Sequence, residues 1–344
     1  MHSIPLVSMT MPSPSATAAA ARRTRLLNGI VAGQSSSALK PICPPKRLLL
    51  LRHGQAAHNP RAEVAREGGC SFDEFLRLME EDDSYDAALT ELGEDQASEA
   101  GRRGHVRLAL RDVDMITSSP LSRALRTADL IFPPHTSPPS SSSALRSSSP
   151  FEGANNGTPR RVCLEEFREI NGRLLNAKRR LRVELERDFP HWNFSLIPPR
   201  DETWRPDAYE SSEECGERGY HGLMWLMDQR ERRILVVSHG GLLSHTLNNN
   251  PKVVLVDGRD TDDDNGEGTT TMRCTTKRFG NCEMREFVMT AWVSGDDDNV
   301  TDGEIESLDV RNNGDGFQPV ITLEEVTMEI STDCVSNDGG DTSG

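Results

Sequence analysis

The chain has 344 residues, a formal charge of −15 at neutral pH, 35% hydrophobic residues and 5% aromatics. That length holds one large domain or two small ones with a sizeable core, but so few aromatics predict that not all of it packs. The acid excess argues against a nucleic-acid binder working by general electrostatics, and no apolar stretch approaches a membrane span.

The charge is unevenly spread. Residues 1–47 hold bases and no acid, the first acid being Glu63. Rich in Ala, Ser and Pro, residues 1–45 have the composition of a transit peptide to chloroplast or mitochondrion. A disordered extension of a cytoplasmic protein fits as well, and either way the segment is set outside the fold. The seven cysteines, Cys43 to Cys334, are scattered, odd in number and without a C-x-x-C pair. This disfavours a zinc site or a disulfide framework and suits a reducing compartment.

The domain is expected over residues 46–293. Leu48-Leu49-Leu50-Leu51 running into Arg52-His53-Gly54 reads as a buried strand ending in a tight turn. Taken alone, that stretch is equally a phosphate site or a core strand with a basic end. After the loop His58-Asn59-Pro60, residues 61–82 read as helix through Phe72, Phe75, Leu76 and Met79. Thr90 caps a further helix ending near Gly101 or Gly104. Val113–Ser119 is a second strand; Pro120 then suits the first turn of a helix to residue 131, with Ser119 as its cap. Residues 133–160 are a low-complexity insertion. Val162–Leu164 is a short strand, residues 174–188 a charged helix and residues 210–230 a helix with core Met and aromatic residues. The run Ile234–Val237 into Ser238-His239-Gly240 repeats the layout of the first strand. A short helix, a second insertion at 257–271 and a last strand over 281–293 follow. The tail 294–344 carries fourteen acids and one base, Arg311, and is expected to be mostly disordered, with a weak extra strand within 319–330.

Strands alternating with helices predict a three-layer α/β/α fold with a largely parallel central sheet. Parallel strands share their carboxyl edge, where ligands bind, so His53 and His239 can meet there. With Arg52, and with Arg123 behind Pro120, the pocket would hold two imidazoles and two guanidiniums. Guanidinium forks and a helix N-terminus suit a dianionic phosphoryl group. A neutral imidazole beside phosphorus is a competent nucleophile, the cations stabilise the equatorial oxygens, and a carboxylic acid must protonate the leaving alcohol. No ligand spacing for a metal, no Walker-type loop and no G-x-S-x-G elbow is present, so neither metal nor cofactor is expected.

Leu51-Arg52-His53-Gly54 with Asn59, Leu89–Gly93 with Gln96, Ser118-Ser119-Pro120-Leu121-Ser122-Arg123-Ala124, Val237–Gly241 and Asn281-Cys282-Glu283 together resemble the histidine phosphatase superfamily. The likeness is to its phosphoglycerate mutase-like group, and these motifs stand in family order over about residues 46–293. The resemblance implies the phosphoglycerate mutase-like fold, His53 as the phosphorylated nucleophile, and Arg52, Arg123 and His239 as the phosphate pocket, with Asn59 a further contact. For the proton donor it implies Glu169, in Phe167-Arg168-Glu169-Ile170-Asn171-Gly172, with Glu166 as the fallback. Lys178-Arg179-Arg180 reads as a solvated helix face. His58 and His245 read as packed or exposed side chains rather than pocket lining. The expected function is a metal-independent phosphomonoester hydrolase acting through phosphohistidine on a small phosphorylated substrate. A mutase-type phosphotransferase and a non-catalytic scaffold are the alternatives. Neither nucleic acid nor membrane is expected as partner, and the sequence leaves the oligomeric state open.

Overall fold

The computed structural model describes residues 39–134, 158–256, 275–294 and 319–326. The transit-like segment and the two insertions fall largely outside the described residues. The strands are β1 (Leu39–Pro41), β2 (Lys46–Arg52), β3 (Met115–Ser118), β4 (Arg160–Cys163), β5 (Arg233–Ser238), β6 (Val253–Val256), β7 (Met284–Ser294) and β8 (Val320–Val326). The helices are α1 (Pro60–Glu67), α2 (Phe72–Glu81), α3 (Glu91–Arg102), α4 (Gly104–Leu110), α5 (Ser122–Ile131), α6 (Arg182–Asp188), α7 (Ser212–Asp228) and α8 (Gly240–Asn248).

One sheet runs in the order β4-β3-β5-β2-β7-β8-β6, and β1 continues the line of β2 along β7. Every strand but β7 points the same way. The leucine run of β2 feeds both faces in turn. Leu48 and Leu50 join Ile234, Val236 and Phe287 in a core covered by α7 and α8. Leu49 and Leu51 join Leu235 and Val237 in a second core covered by α3, α4, α5 and α6. A strand buried on both faces needs a continuous apolar run rather than an alternating one. The three-layer α/β/α arrangement is thus built on the alternation of four adjacent leucines. Among the described residues no helix is long and apolar enough to cross a membrane.

The elements differ from expectation in four places. The helix predicted over 61–82 is two, α1 and α2, broken at Gly68-Gly69, where Gly69 has φ of +83°. Ser71 then caps α2 by accepting from the Glu74 N–H at 3.2 Å. Helix α5 starts at Ser122 rather than Pro120; Ser119 Oγ still accepts from the Leu121 N–H (3.3 Å), as a cap would, and also lies 2.8 Å from His239 Nε2. Only Arg182–Asp188 of the segment 174–188 is α-helical. The Asp83 carboxylate takes the N–H groups of Leu175 (2.6 Å) and Asn176 (2.9 Å), and Lys178-Arg179-Arg180 is not a solvated face. Arg179 is buried, donating to Glu165 at 2.6 Å and to the carbonyls of Pro198 and Arg200. Arg180 pairs with Asp86 and Asp188.

The sheet also extends past residues 46–293 at both ends. Strand β1 lies before that span, and β8, inside the acidic tail, is inserted between β7 and β6. Ile321 and Leu323 are wholly buried in the core under α7 and α8, and Trp292 Nε1 donates to Thr322 Oγ1 at 2.9 Å. β6, which the sequence did not reveal, pairs among the described residues with β8 alone and buries Val253 and Leu255 in the same core. Leu323→Ala should therefore cost about 2–5 kcal/mol, as a core truncation does, rather than the few tenths expected of a solvated tail. Urea denaturation of the full-length chain measures it, and an unchanged midpoint would remove β8 from the core.

Candidate active site

The carboxyl ends of β2, β3 and β5 meet in register. Arg52 stands opposite Ser238 and Ser118 opposite Val237, and the His53 N–H donates to the Ser238 carbonyl at 3.0 Å. This seats His53 and His239 with ring centroids 4.8 Å apart at 61°. The turn after His53 is gripped from outside. The Gly54 N–H donates to Thr127 Oγ1 at 3.1 Å, and the Thr90 N–H to the Gln55 carbonyl at 3.0 Å. A side chain at Gly93 would overlap that carbonyl, so the start of α3 approaches the turn through bare backbone.

His53 is 1% exposed. Its Nδ1 lies 2.6 Å from the Gly54 carbonyl, which only an Nδ1–H can satisfy, so Nε2 carries the lone pair. Arg123, fully buried at the start of α5, donates from Nε to that Nε2 at 3.3 Å and from Nη1 to the Asn176 carbonyl at 2.7 Å. Ser119 Oγ accepts from the Leu121 N–H (3.3 Å) and lies 2.8 Å from His239 Nε2. Ser119 can give its proton to His239 Nε2, the arrangement in which His239 carries its own proton on Nδ1. Arg52 donates from Nη1 to the Phe279 carbonyl at 3.0 Å and pairs through Nη2 with Glu63.

Three of these donors have no partner among the described residues although they are buried: Arg52 Nε, Arg123 Nη2 and His239 Nδ1. Burial, and then the charge of Arg123, holds both His53 and His239 far below the ordinary histidine range, and His58 with them. Burial also draws Arg123 down to about 10, against the pull of Glu169 and Asp86, so it stays cationic at neutral pH. The centre is two neutral imidazoles between two guanidiniums.

Glu169 reaches the same place from the turn after β4. Its carboxylate accepts from the Leu242 N–H (3.1 Å) and the Gly241 N–H (3.4 Å) at the N-terminus of α8. A side chain on Gly241 would overlap that carboxylate. The turn is clamped by Arg218 of α7. One guanidinium donates to the carbonyls of Glu166 (2.9 Å), Arg168 (3.0 Å) and Glu169 (3.1 Å) and is held bidentately by Glu210 (2.6 and 2.7 Å). Glu166 instead packs toward α7, its Cβ beside Gly222. Glu169 lines a cavity of about 550 Å³, and Glu166 does not; Arg52, His53, Arg123 and His239 are not on its lining, which comes nearest them at Gly240, next to His239, and at Asn176, whose carbonyl Arg123 holds.

Of the residues singled out from sequence, Arg52, His53, Arg123, His239 and Glu169 are brought together. Asn59 is spent on its own loop: Oδ1 accepts from the Ala56 N–H at 3.2 Å and Nδ2 donates to Glu63 at 3.4 Å. It touches the cluster only through Glu63, which also holds Arg52. His58 and His245, read as packed or exposed, both line the cavity. His58 follows His53 within one loop, a spacing that could have drawn it in; His245 had no such signal. Arg66, Asn176, Tyr209 and Arg278 also line the cavity unforeseen. They come from four separate segments, with no local pattern to join them. Among the described residues no three His, Cys, Asp or Glu side chains are grouped as around a metal ion.

A sequence profile described as the histidine phosphatase superfamily (branch 1) matches residues 48–149. Phosphoglycerate mutase-like protein 1 of Arabidopsis thaliana is 30% identical over 277 residues, spanning 77% of this chain and 88% of its own. Phosphoglycerate mutase-like protein 2 of the same plant is 27% identical over 288 residues, spanning 74% and 77%. Among solved structures, a mycobacterial glucosyl-3-phosphoglycerate phosphatase aligns at 20% identity and a TM-score of 0.34, spanning 72% of this chain and 96% of its own.

The three depressed histidines set a pH dependence of stability. At pH 7.5 they are neutral in the folded and the unfolded chain alike and contribute no slope. Below about pH 6.5 the unfolded chain takes up protons that the folded one refuses, so stability falls with falling pH until the folded values are reached. Urea midpoints between pH 7.5 and 5 should therefore drop, and His58→Gln should flatten the drop by up to about 1.4 kcal/mol per pH unit. A midpoint constant over that range would mean that the imidazoles are not held neutral.

Proposed function

Since the chain belongs to the histidine phosphatase superfamily, we propose that it hydrolyses phosphomonoesters through a phosphohistidine formed on His53. The observation that carries this reading is the set of three buried, unpartnered nitrogen donors on Arg52, Arg123 and His239 around a neutral His53 whose Nε2 holds the lone pair. Three free donors on residues beside the nucleophile match in number the three non-bridging oxygens of a phosphoryl group.

In the first half-reaction His53 Nε2 attacks phosphorus and the bond to the leaving oxygen breaks. Arg52, Arg123 and His239 take the charge of the equatorial oxygens, and Nδ1–H donation to the Gly54 carbonyl steadies the positive ring. Glu169, held at the cavity edge, gives its proton to the leaving alcohol. In the second, Glu169 takes a proton from water, which attacks the phosphorus and frees phosphate and His53. Arg123 must turn its Nε from His53 to the phosphoryl group, a change of acceptor without a change of position. Every group needed is supplied by the chain, so the reading is metal-independent.

The plant relatives carry mutase-like names, and a mutase-type transfer uses the same nucleophile. The two differ in product. With EDTA present, the full-length chain should release phosphate from a panel of phosphomonoesters and should form an acid-labile phosphoenzyme in rapid quench. Phosphoglycerate isomerisation without phosphate release would favour the mutase, and activity lost on chelation would sink the mechanism. His53→Ala should abolish both phosphoenzyme and turnover. Glu169→Gln should lower kcat by about 10²- to 10⁴-fold, with Glu166→Gln less than about tenfold. A Glu166→Gln loss larger than that of Glu169→Gln would move the proton donor.

A further inference from the structure

We propose that the substrate's leaving group is an apolar ring or chain bearing a second anionic group, bound in the cavity against α2 with Arg66 and Arg278 reading the anion. The orientation rests on the hydrolase reading above: the leaving oxygen faces Glu169, and Glu169 lines this cavity, so the body of the leaving group lies in it.

The cavity, about 550 Å³, has the size of a site for a multi-ring or long-chain ligand. One wall is apolar and comes from α2, with Phe72, Phe75, Leu76 and Met79. Ile170 and Leu174 add apolar surface from the segment that follows Glu169. A three-carbon polar alcohol would leave most of this wall uncovered. Phe72, at the outer edge, is 67% exposed, an unfavourable place for a phenyl ring unless something covers it.

The rest of the lining is polar, with two guanidiniums, Arg66 and Arg278, and two acids, Glu169 and Glu210, among neutral residues. Arg66 lies over the Phe75 ring, 3.7 Å from its centroid, and has no ion-pair partner among the described residues. Arg278 stands 3.7 Å from Glu63, but that carboxylate is already taken by Arg52. Of the two acids on the lining, Glu210 is neutralised by Arg218 and Glu169 belongs to the reaction. Two guanidiniums without a full counter-charge, beside an apolar wall, favour an amphipathic anion over a neutral alcohol.

Phosphonates test this without turnover, because their carbon–phosphorus bond is not cleaved by this chemistry. Calorimetric titration of the full-length chain should show benzylphosphonate binding about 10- to 100-fold tighter than methylphosphonate. A 4-carboxyl group should add about tenfold more. Leu76→Asp should erase the benzyl advantage, and Arg66→Met should erase the carboxyl gain while keeping the benzyl one. Equal affinity for benzyl- and methylphosphonate overturns the proposal, as does a carboxyl gain that survives both Arg66→Met and Arg278→Met. Selective phosphonate binding with no ester turned over would support the ligand class and overturn the hydrolase reading. Turnover without selectivity would do the reverse.

Discussion

Parallel pairing of β2 with β5, Leu51 opposite Val237 and Arg52 opposite Ser238, is the constraint from which the centre follows. A strand's side chains alternate between faces, so a slip of one residue would exchange the two cores under Leu48/Leu50 and Leu49/Leu51. Both faces are filled, and neither core could accept the exchange without voids and overlaps of several kcal/mol. The register is therefore locked over six consecutive pairs, and the next residue on each strand is a histidine. His53 and His239 are neighbours because the leucines before one and the valines before the other are. Their burial comes from the same packing, and it is burial, more than any single charge, that keeps them neutral.

Keeping cations in the same place needs a different device. Arg123 is wholly buried and gives its protons to a carbonyl and an imidazole rather than to a carboxylate directly. Its countercharge is spread over Glu169 and Asp86, neither bonded to it. Asp86 in turn is held by Ser122 and Arg180. At Arg123, countercharge one residue away leaves more of the charge for an anion to meet than a direct ion pair would; Arg52, paired through Nη2 with Glu63, keeps its Nε free. The Arg218 clamp completes the scheme. The turn bearing Glu169 has no sheet partner, and rigidity reaches it through carbonyls bonded to one guanidinium anchored in the core-packed helix α7. Arg168, in the same turn, is tied by Asp201 and Glu165.

What was legible in the sequence is what is encoded locally. The runs before His53 and His239 could be read as strands, and the rule for carboxyl edges placed their ends together. Arg123 was visible from the Ser-Ser-Pro turn before it; that the Ser119 hydroxyl, besides accepting from the Leu121 N–H, would also meet a histidine far along the chain was not. Glu169 was chosen over Glu166 by resemblance; its carboxylate is in fact at the cavity because a helix N-terminus holds it there. The illegible parts depend on remote partners. β8 falls within the weak strand expected over 319–330, but its place inside the sheet was not foreseen: pairing with β7 and β6 carries Ile321 and Leu323 into the core. Arg179, in a run of three bases, is buried because Glu165 and two loop carbonyls await it. The cavity wall was read only as a helix, because amphipathic spacing does not distinguish a side that meets a core from one that meets a ligand.

Net charge also misleads here, for a reason that can be stated. The chain carries −15, yet the groups facing its centre are arginines and neutral histidines. Fourteen of the acids follow residue 292, against one base. Exposed charges farther apart than the Debye length, about 8 Å at physiological ionic strength, scarcely act on one another. A buried guanidinium, by contrast, acts through a medium of low dielectric on whatever touches it. An anion approaching the cavity therefore meets a screened repulsion from the surface as a whole and an almost unscreened attraction from Arg52 and Arg123 once inside. Excluding nucleic acid on net charge and admitting a phosphoryl group on local charge are then compatible. The first is a property of many exposed groups summed over a surface, the second of two arginines beside His53: Arg52 precedes it on β2, and Arg123 reaches it from α5, with Nε 3.3 Å from His53 Nε2.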